Sequence, residues 1–208
     1  MTRGVAATGE NGLMTENLDP AAATTTSRSS RRLLWGIFAL AAFVVAADQL
    51  SKWWAETNLG GGKNIPIIGD LLSFQLVYNP GAAFSIGEEF TWVLTIIAAL
   101  AVVAITWYAS QVESRAWGIA LGMLLGGAIT HLGDRLFRDP GFARGHVVDF
   151  INYNGYFIGN IADIALVGGA IMIVIISLMG IASKPEPVET DSADAAATPP
   201  TATPPTAQ

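Results

Sequence analysis

The chain has no cysteine and only two histidines, and charged side chains make up just 13% of its 208 residues. The missing cysteine excludes a disulfide framework, a thiolate nucleophile and any cysteine-based metal site. His131 and His146 are too few for a zinc centre, so neither a metal nor another cofactor is expected. So little charge, set beside 51% hydrophobic residues and a mean hydropathy of +0.45, does not suit an ordinary soluble domain. The basic residues are scattered or sit beside apolar runs, which speaks against a nucleic-acid surface. The formal net charge of −6 is shared with an acidic C-terminal tail and points to no partner.

The apolar residues fall in blocks of membrane length. Leu33 to Ala47 follows Arg28, Arg31 and Arg32, with a helix-compatible pattern through Trp54. A basic segment before an apolar core also describes a cleavable signal peptide; the spans that follow favour a retained signal anchor. Phe90 to Tyr108 is a second span. Ala116 to about Thr130, rich in glycine, is a third, closed by His131 to Arg135. Ile164 to Ala182 is a fourth, entered at about Asn160. The expected fold is an all-α membrane protein, a four-helix transmembrane bundle with a small extracytoplasmic β-sheet. Residues 31–183 form the membrane domain. Residues 1–30 and 184–208 lack a hydrophobic period and read as disordered tails. Four spans put both tails on one side, and the three arginines before the first span make that side cytoplasmic. Arg135, Arg138 and Arg144 then lie outside, against the simple charge rule.

The sequence that organises the rest runs from Gly145 to Asp163. Asp149 lies in a strand-like run with Val147, Val148, Phe150 and Ile151. Asn154-Gly155 is a strong turn signal. Asp163 follows Asn160 by three residues, on the same face of the last helix. A carboxylate at that depth is costly in lipid and marks a functional site. Two aspartates at a membrane surface suggest aspartic-protease chemistry, in which two close carboxylates share one proton. Asp163 could also be a helix N-terminal residue stabilised by the dipole. Asp48 and Lys52 have the spacing of a helix-surface ion pair. Gly126-Gly127 reads as helix packing, and Leu72, Phe74, Leu76 and Tyr78 as one packed strand face. A non-enzymatic alternative is a proton-coupled carrier or channel subunit that uses these acids as a relay.

Four blocks in this order resemble lipoprotein signal peptidase, the signal peptidase II family. They are Asp48 to Lys52, Asn79 to Phe84, Gly126-Gly127 through Asp134-Arg135, and Val147 to Phe150 with Asn160 to Asp163. The resemblance covers about residues 33 to 182. It implies that Asp149 and Asp163 are the catalytic pair, and that Asp48, Asn79, Gly81, Asp134, Arg135, Asn160 and Ala162 position substrate or support the pair. Lys52 would serve the helix end or lipid headgroups. The substrate implied is a lipidated prolipoprotein signal peptide, cut before a diacylglyceryl-modified cysteine, with membrane lipids as the other partner. The pattern departs at His131, where the family usually carries asparagine. The imidazole is expected to take over that residue's hydrogen bonds, to Asp134 or to one of the paired aspartates.

Overall fold

The computed structural model describes residues 20–81 and 90–184. Ala82 to Phe84 of the second block, and most of both expected tails, lie outside the described residues. Four helices, α1 (Pro20–Asn58), α2 (Thr91–Ala109), α3 (Arg115–Phe137) and α4 (Ile161–Leu178), are long and apolar enough to cross a membrane. Strands β1 (Asn64–Ile68), β2 (Leu72–Asn79), β3 (Val147–Tyr153) and β4 (Phe157–Gly159) form one antiparallel sheet in that order. The expected fold is therefore the observed one.

Two helix boundaries differ from expectation. Helix α1 begins at Pro20, inside the segment read as a tail. Helix α3 runs two turns past the expected limit of the span at Thr130, to Phe137, so the closing residues His131, Asp134 and Arg135 lie within it. Polar residues usually mark a span's end, but here Asp134 and Arg135 are buried and partnered, which removes the cost of keeping them in the helix.

Helix α3 is the hub and packs against the other three. Half of its membrane-length window is buried, against 11% for α2. Its glycines explain the close fit. A Cβ on Gly126 would lie 2.6 Å from Val44 Cβ of α1, and one on Gly127 would lie 2.6 Å from Leu166 Cγ of α4. Lipid tails are as apolar as leucine, so helices in a bilayer gain by close backbone approach rather than by escaping water. The adjacent glycines serve two neighbours at once.

The sheet sits on the C-terminal end of α1. Phe150 on β3 packs against Trp54 and Phe74, with Ala55 and Leu59 buried beneath. Leu72, Phe74 and Leu76 join that cluster as expected; Tyr78, beyond it at the strand's end, is exposed. Asn154 and Gly155 both take positive φ, at 53° and 75°, making the tight β3–β4 turn that an Asn-Gly pair favours. The hairpin delivers the chain directly to Asn160 and α4.

Candidate active site

Alternation along β3 sends Phe150 to the aromatic cluster and leaves Asp149 on the opposite face. Asn79 pairs with Val147, two residues before Asp149 on that face, and its Nδ2 donates to Asp149 Oδ2 at 3.0 Å. Asn160 caps α4. Its side-chain oxygen accepts from the Asp163 amide at 3.1 Å, while its own backbone N–H donates to Asp163 Oδ2 at 2.8 Å. This is a reciprocal capping box. Asn160 Nδ2 also donates to Asp149 Oδ1 at 2.7 Å. One asparagine thus binds both carboxylates, which line a single cavity of about 360 Å³. Asp163 is both a helix-terminal residue and a member of the pair: Oδ2 caps, and Oδ1 faces His131.

His131 Nε2 lies 3.1 Å from Asp163 Oδ1. Of the two partners expected for the imidazole, the structure selects the paired aspartate. Asp134 is taken by other groups. Burial pushes Asp149 up to about 6, and the charge of Asp163 adds to the rise. The amides of Asn79 and Asn160, and the charge that His131 can carry, pull the other way without cancelling it.

A second buried cluster lies behind the pair. Lys52 Nζ is 2.6 Å from Asp48 Oδ2 and 2.7 Å from Asp134 Oδ2, with all three side chains almost fully buried. This corrects two expectations. Lys52 is not at a helix surface, and it does not reach headgroups. The i,i+4 spacing is real, but α3 covers that face of α1 and supplies the second carboxylate. Arg138 Nε and Gln49 Nε2 bind Asp134 Oδ1 at 2.8 and 3.0 Å, and Arg138 Nη1 reaches Glu56 at 2.6 Å.

One oxygen of each of the two aspartates in this cluster also touches the backbone beside a paired aspartate. Asp48 Oδ1 accepts from the Ala162 amide at 2.9 Å, one residue before Asp163. Asp134 Oδ2 accepts from the Val148 amide at 3.3 Å, one residue before Asp149. Arg135 donates to the carbonyls of Pro80, at 3.1 Å, and Gly81. The Gly81 amide in turn donates to Asn79 Oδ1 at 2.9 Å, orienting the Asn79 side chain so that its Nδ2 meets Asp149. Every site residue expected from the sequence is therefore in one connected assembly.

Sequence reasoning missed Arg138, Gln49 and Glu56 as members. A signal was available: Arg138 follows Asp134 by four residues, and Glu56 follows Lys52 by four, each on a shared helix face. It also missed the apolar wall of the cavity, contributed by Leu94, Ile97 and Ala101 of α2, Leu166 of α4 and Phe157 of β4. No short motif encodes that wall.

Residues 40–179 match the family model described as signal peptidase (SPase) II. The lipoprotein signal peptidase of Mycobacterium avium (strain 104) is 44% identical over 162 residues, covering 78% of this chain and 89% of that protein. That of Rhodococcus jostii (strain RHA1) is 42% identical over 151 residues, covering 73% and 75%. Among solved structures, a bacterial membrane enzyme determined by the in meso method at 2.3 Å resolution matches with a TM-score of 0.62 and 29% identity. That match covers 73% of this chain and 93% of that one. The carrier alternative finds no support in these likenesses. With the matched region holding both carboxylates and every residue that supports them, the chain belongs to the signal peptidase II family, as a multi-pass membrane peptidase.

Proposed function

We propose that this protein is an aspartic endopeptidase that removes signal peptides from prolipoproteins, cutting on the N-terminal side of a diacylglyceryl-modified cysteine. The observation that carries the reading is the pair of carboxylates joined through Asn160 at one cavity. The relatives' name supplies the substrate class. The cavity's apolar wall suits a hydrophobic signal segment and an acyl chain.

Asp149 is the partner that carries the shared proton, because burial and the charge of Asp163 raise it to about 6, above the ordinary carboxylate range. Asp163, held through Oδ2 by the Asn160 backbone N–H at the start of α4 and open to the cavity through Oδ1, is the base. The water oxygen bonds to the scissile carbonyl carbon, one water proton passes to Asp163, and Asp149 protonates the carbonyl oxygen. The product is a neutral gem-diol. Asp163 then gives its proton to the amide nitrogen while Asp149 takes one from the diol. The C–N bond breaks, the signal peptide leaves as a carboxylic acid and the cysteine as an amine, and the pair again holds one proton. Asn79 and Asn160 hold Asp149 in place. The Lys52 cluster and Arg135 fix the backbone around the pair.

The protein resides in the bacterial cytoplasmic membrane with both termini in the cytoplasm and the site near the outer face. The arginines before the first span support that orientation. Its tails, 1–30 and 184–208, take no part in catalysis. The test is cleavage of a diacylglyceryl-modified precursor by the purified protein. Wild type cuts; Asp149→Asn and Asp163→Asn do not. Near-normal turnover by either variant rejects the aspartic mechanism.

A further inference from the structure

His131 stands on α3 one turn before Arg135, with Nε2 against Asp163 Oδ1. The other Asp163 oxygen is occupied by the Asn160 backbone amide. His131 therefore holds the oxygen that remains to meet a water. Its side chain is 20% exposed and that of Asp163 25%, so the contact can exchange protons with solvent. The charged groups that share its surroundings are Asp163 from α4, Asp149 from β3 and Arg135 from its own helix, all lining the same cavity. Helix α2 brings only apolar side chains to that cavity. From α1, Asp48 and Lys52 are buried and paired with each other and with Asp134.

We propose that His131 is a positioning residue for Asp163: its Nε2–H donates to Oδ1, holds Asp163 as the ionised base, and lets the enzyme work at lower pH than an uncharged residue there would allow. This rests on the paired-aspartate reading above. An N–H aimed at a carboxylate oxygen favours the charged form. A neutral imidazole ring can present Nε2 as donor or acceptor, whereas an imidazolium presents only donors. A protonated His131 is fixed as a donor and places a positive charge beside the pair. That charge opposes the second protonation that would remove the base. Its influence extends to Asp149, whose proton affinity it lowers.

The geometry also chooses the informative substitution. The bond is made by Nε2, a point that a glutamine amide nitrogen reaches and an asparagine amide falls short of. His131→Gln thus keeps a donor and removes the capacity to carry a positive charge. Rates are measured from pH 5 to 8 with the full-length protein in lipid and a diacylglyceryl-modified precursor. His131→Gln should keep kcat within about threefold at pH 7.5, since the donor survives, while the acid limb of its pH–rate profile moves up by about half a pH unit or more. His131→Leu should lose about tenfold or more in kcat with little change in KM. A His131→Gln profile that superimposes on wild type, or a fully active His131→Leu, overturns the proposal. If His131→Leu fails to fold, the glutamine profile decides alone. Asp163→Asn separates the two levels. Full activity in that variant removes the pair and this inference with it; an inactive Asp163→Asn beside an unshifted His131→Gln removes His131 alone.

Discussion

Two pairs of aspartates lie at the same end of this bundle, and they differ in what faces them. Asp48 and Asp134 meet Lys52, with Arg138 on the outer oxygen of Asp134. The charges of these four groups balance. Asp149 and Asp163 meet amides and an imidazole; among the described residues, no lysine or arginine forms a salt bridge with either. A fixed cation holds a carboxylate ionised at every physiological pH, which suits a girder. An amide supports the carboxylate without fixing its charge, which leaves a proton free to move. The difference in partner, rather than in residue type or depth, separates the two pairs, and under the proposed function it divides support from chemistry.

The comparison breaks first at the proposed catalytic pair. If Asp149 and Asp163 work through one shared proton, losing either should cost nearly as much as losing both. Cleavage of the lipidated precursor should fall by on the order of 10⁴-fold in Asp149→Asn, in Asp163→Asn and in the double variant alike. All three should still insert and purify, because none adds a charge. Multiplying losses in the double variant would show two independent groups rather than a unit.

At the other pair the damage should be to the fold. Lys52→Met removes the cation and leaves two buried carboxylates face to face. Breaking a buried ion pair on one side typically costs about 3–5 kcal/mol. The variant should show a large drop in thermal stability in detergent, and activity should fall with the folded fraction. An unchanged melting temperature would mean that Asp48 and Asp134 do not need their charges balanced.

How much of this was legible in the sequence follows the same division. The four spans were visible because membrane length and apolarity are local properties. The meeting of Asp149 and Asp163 was visible because Asn154-Gly155 announces a turn and Asn160 to Asp163 a helix start, which together bring the two carboxylates to one cavity. Lys52 was misplaced because an i,i+4 pair looks the same on a surface and in an interior; its second partner, Asp134, comes from 82 residues away. The end of α3 was misjudged for a related reason. Polar residues read as an exit from the membrane until their buried partners are known. The cavity wall was out of reach, since side chains from three different elements meet there only after folding.

A finer contrast is that the two pairs should respond oppositely when one charge is removed. Asp149 is raised to about 6 in the folded state. A carboxyl whose folded pKa is raised contributes its full stability below its unfolded value, and that contribution is lost as pH rises through about 6. Near pH 8 the ionised, buried Asp149 therefore works against the fold by roughly 2–3 kcal/mol. Asp149→Asn removes that cost but gives up one of two amide hydrogen bonds. A net gain on the order of 1 kcal/mol is expected at pH 8, shrinking below pH 6 and reversed near pH 4, where only the lost hydrogen bond remains. Thermal melts of wild type and variant across that range test it. Asp134→Asn, by contrast, should destabilise throughout. A variant at position 149 that is less stable than wild type at pH 8 would place Asp149 with the girders.

The smallest effect should come from the chain outside both pairs. Residues 1–19 and 185–208 carry no hydrophobic period and are built from turn- and disorder-favouring residues. The C-terminal cut has a physical limit. The carbonyl of Ser183 accepts from the amides of Glu113 and Ser114, at 2.9 and 3.2 Å, and Trp117 Nε1 donates to the Ile181 carbonyl at 2.8 Å. These bonds tie the segment after α4 to the α2–α3 connection, at the end of the bundle away from the aspartates. A protein spanning residues 20–184 should therefore cleave precursor at the wild-type rate and melt within about 1 °C of it, since surface changes away from packed features stay within a few tenths of a kcal/mol. Ending at residue 178 removes three such bonds and should lower the melting temperature by several degrees, with kcat little changed. Loss of cleavage in the well-inserted 20–184 protein would show that a tail reaches the substrate, and the separation between reacting pair and remote chain would have to be redrawn.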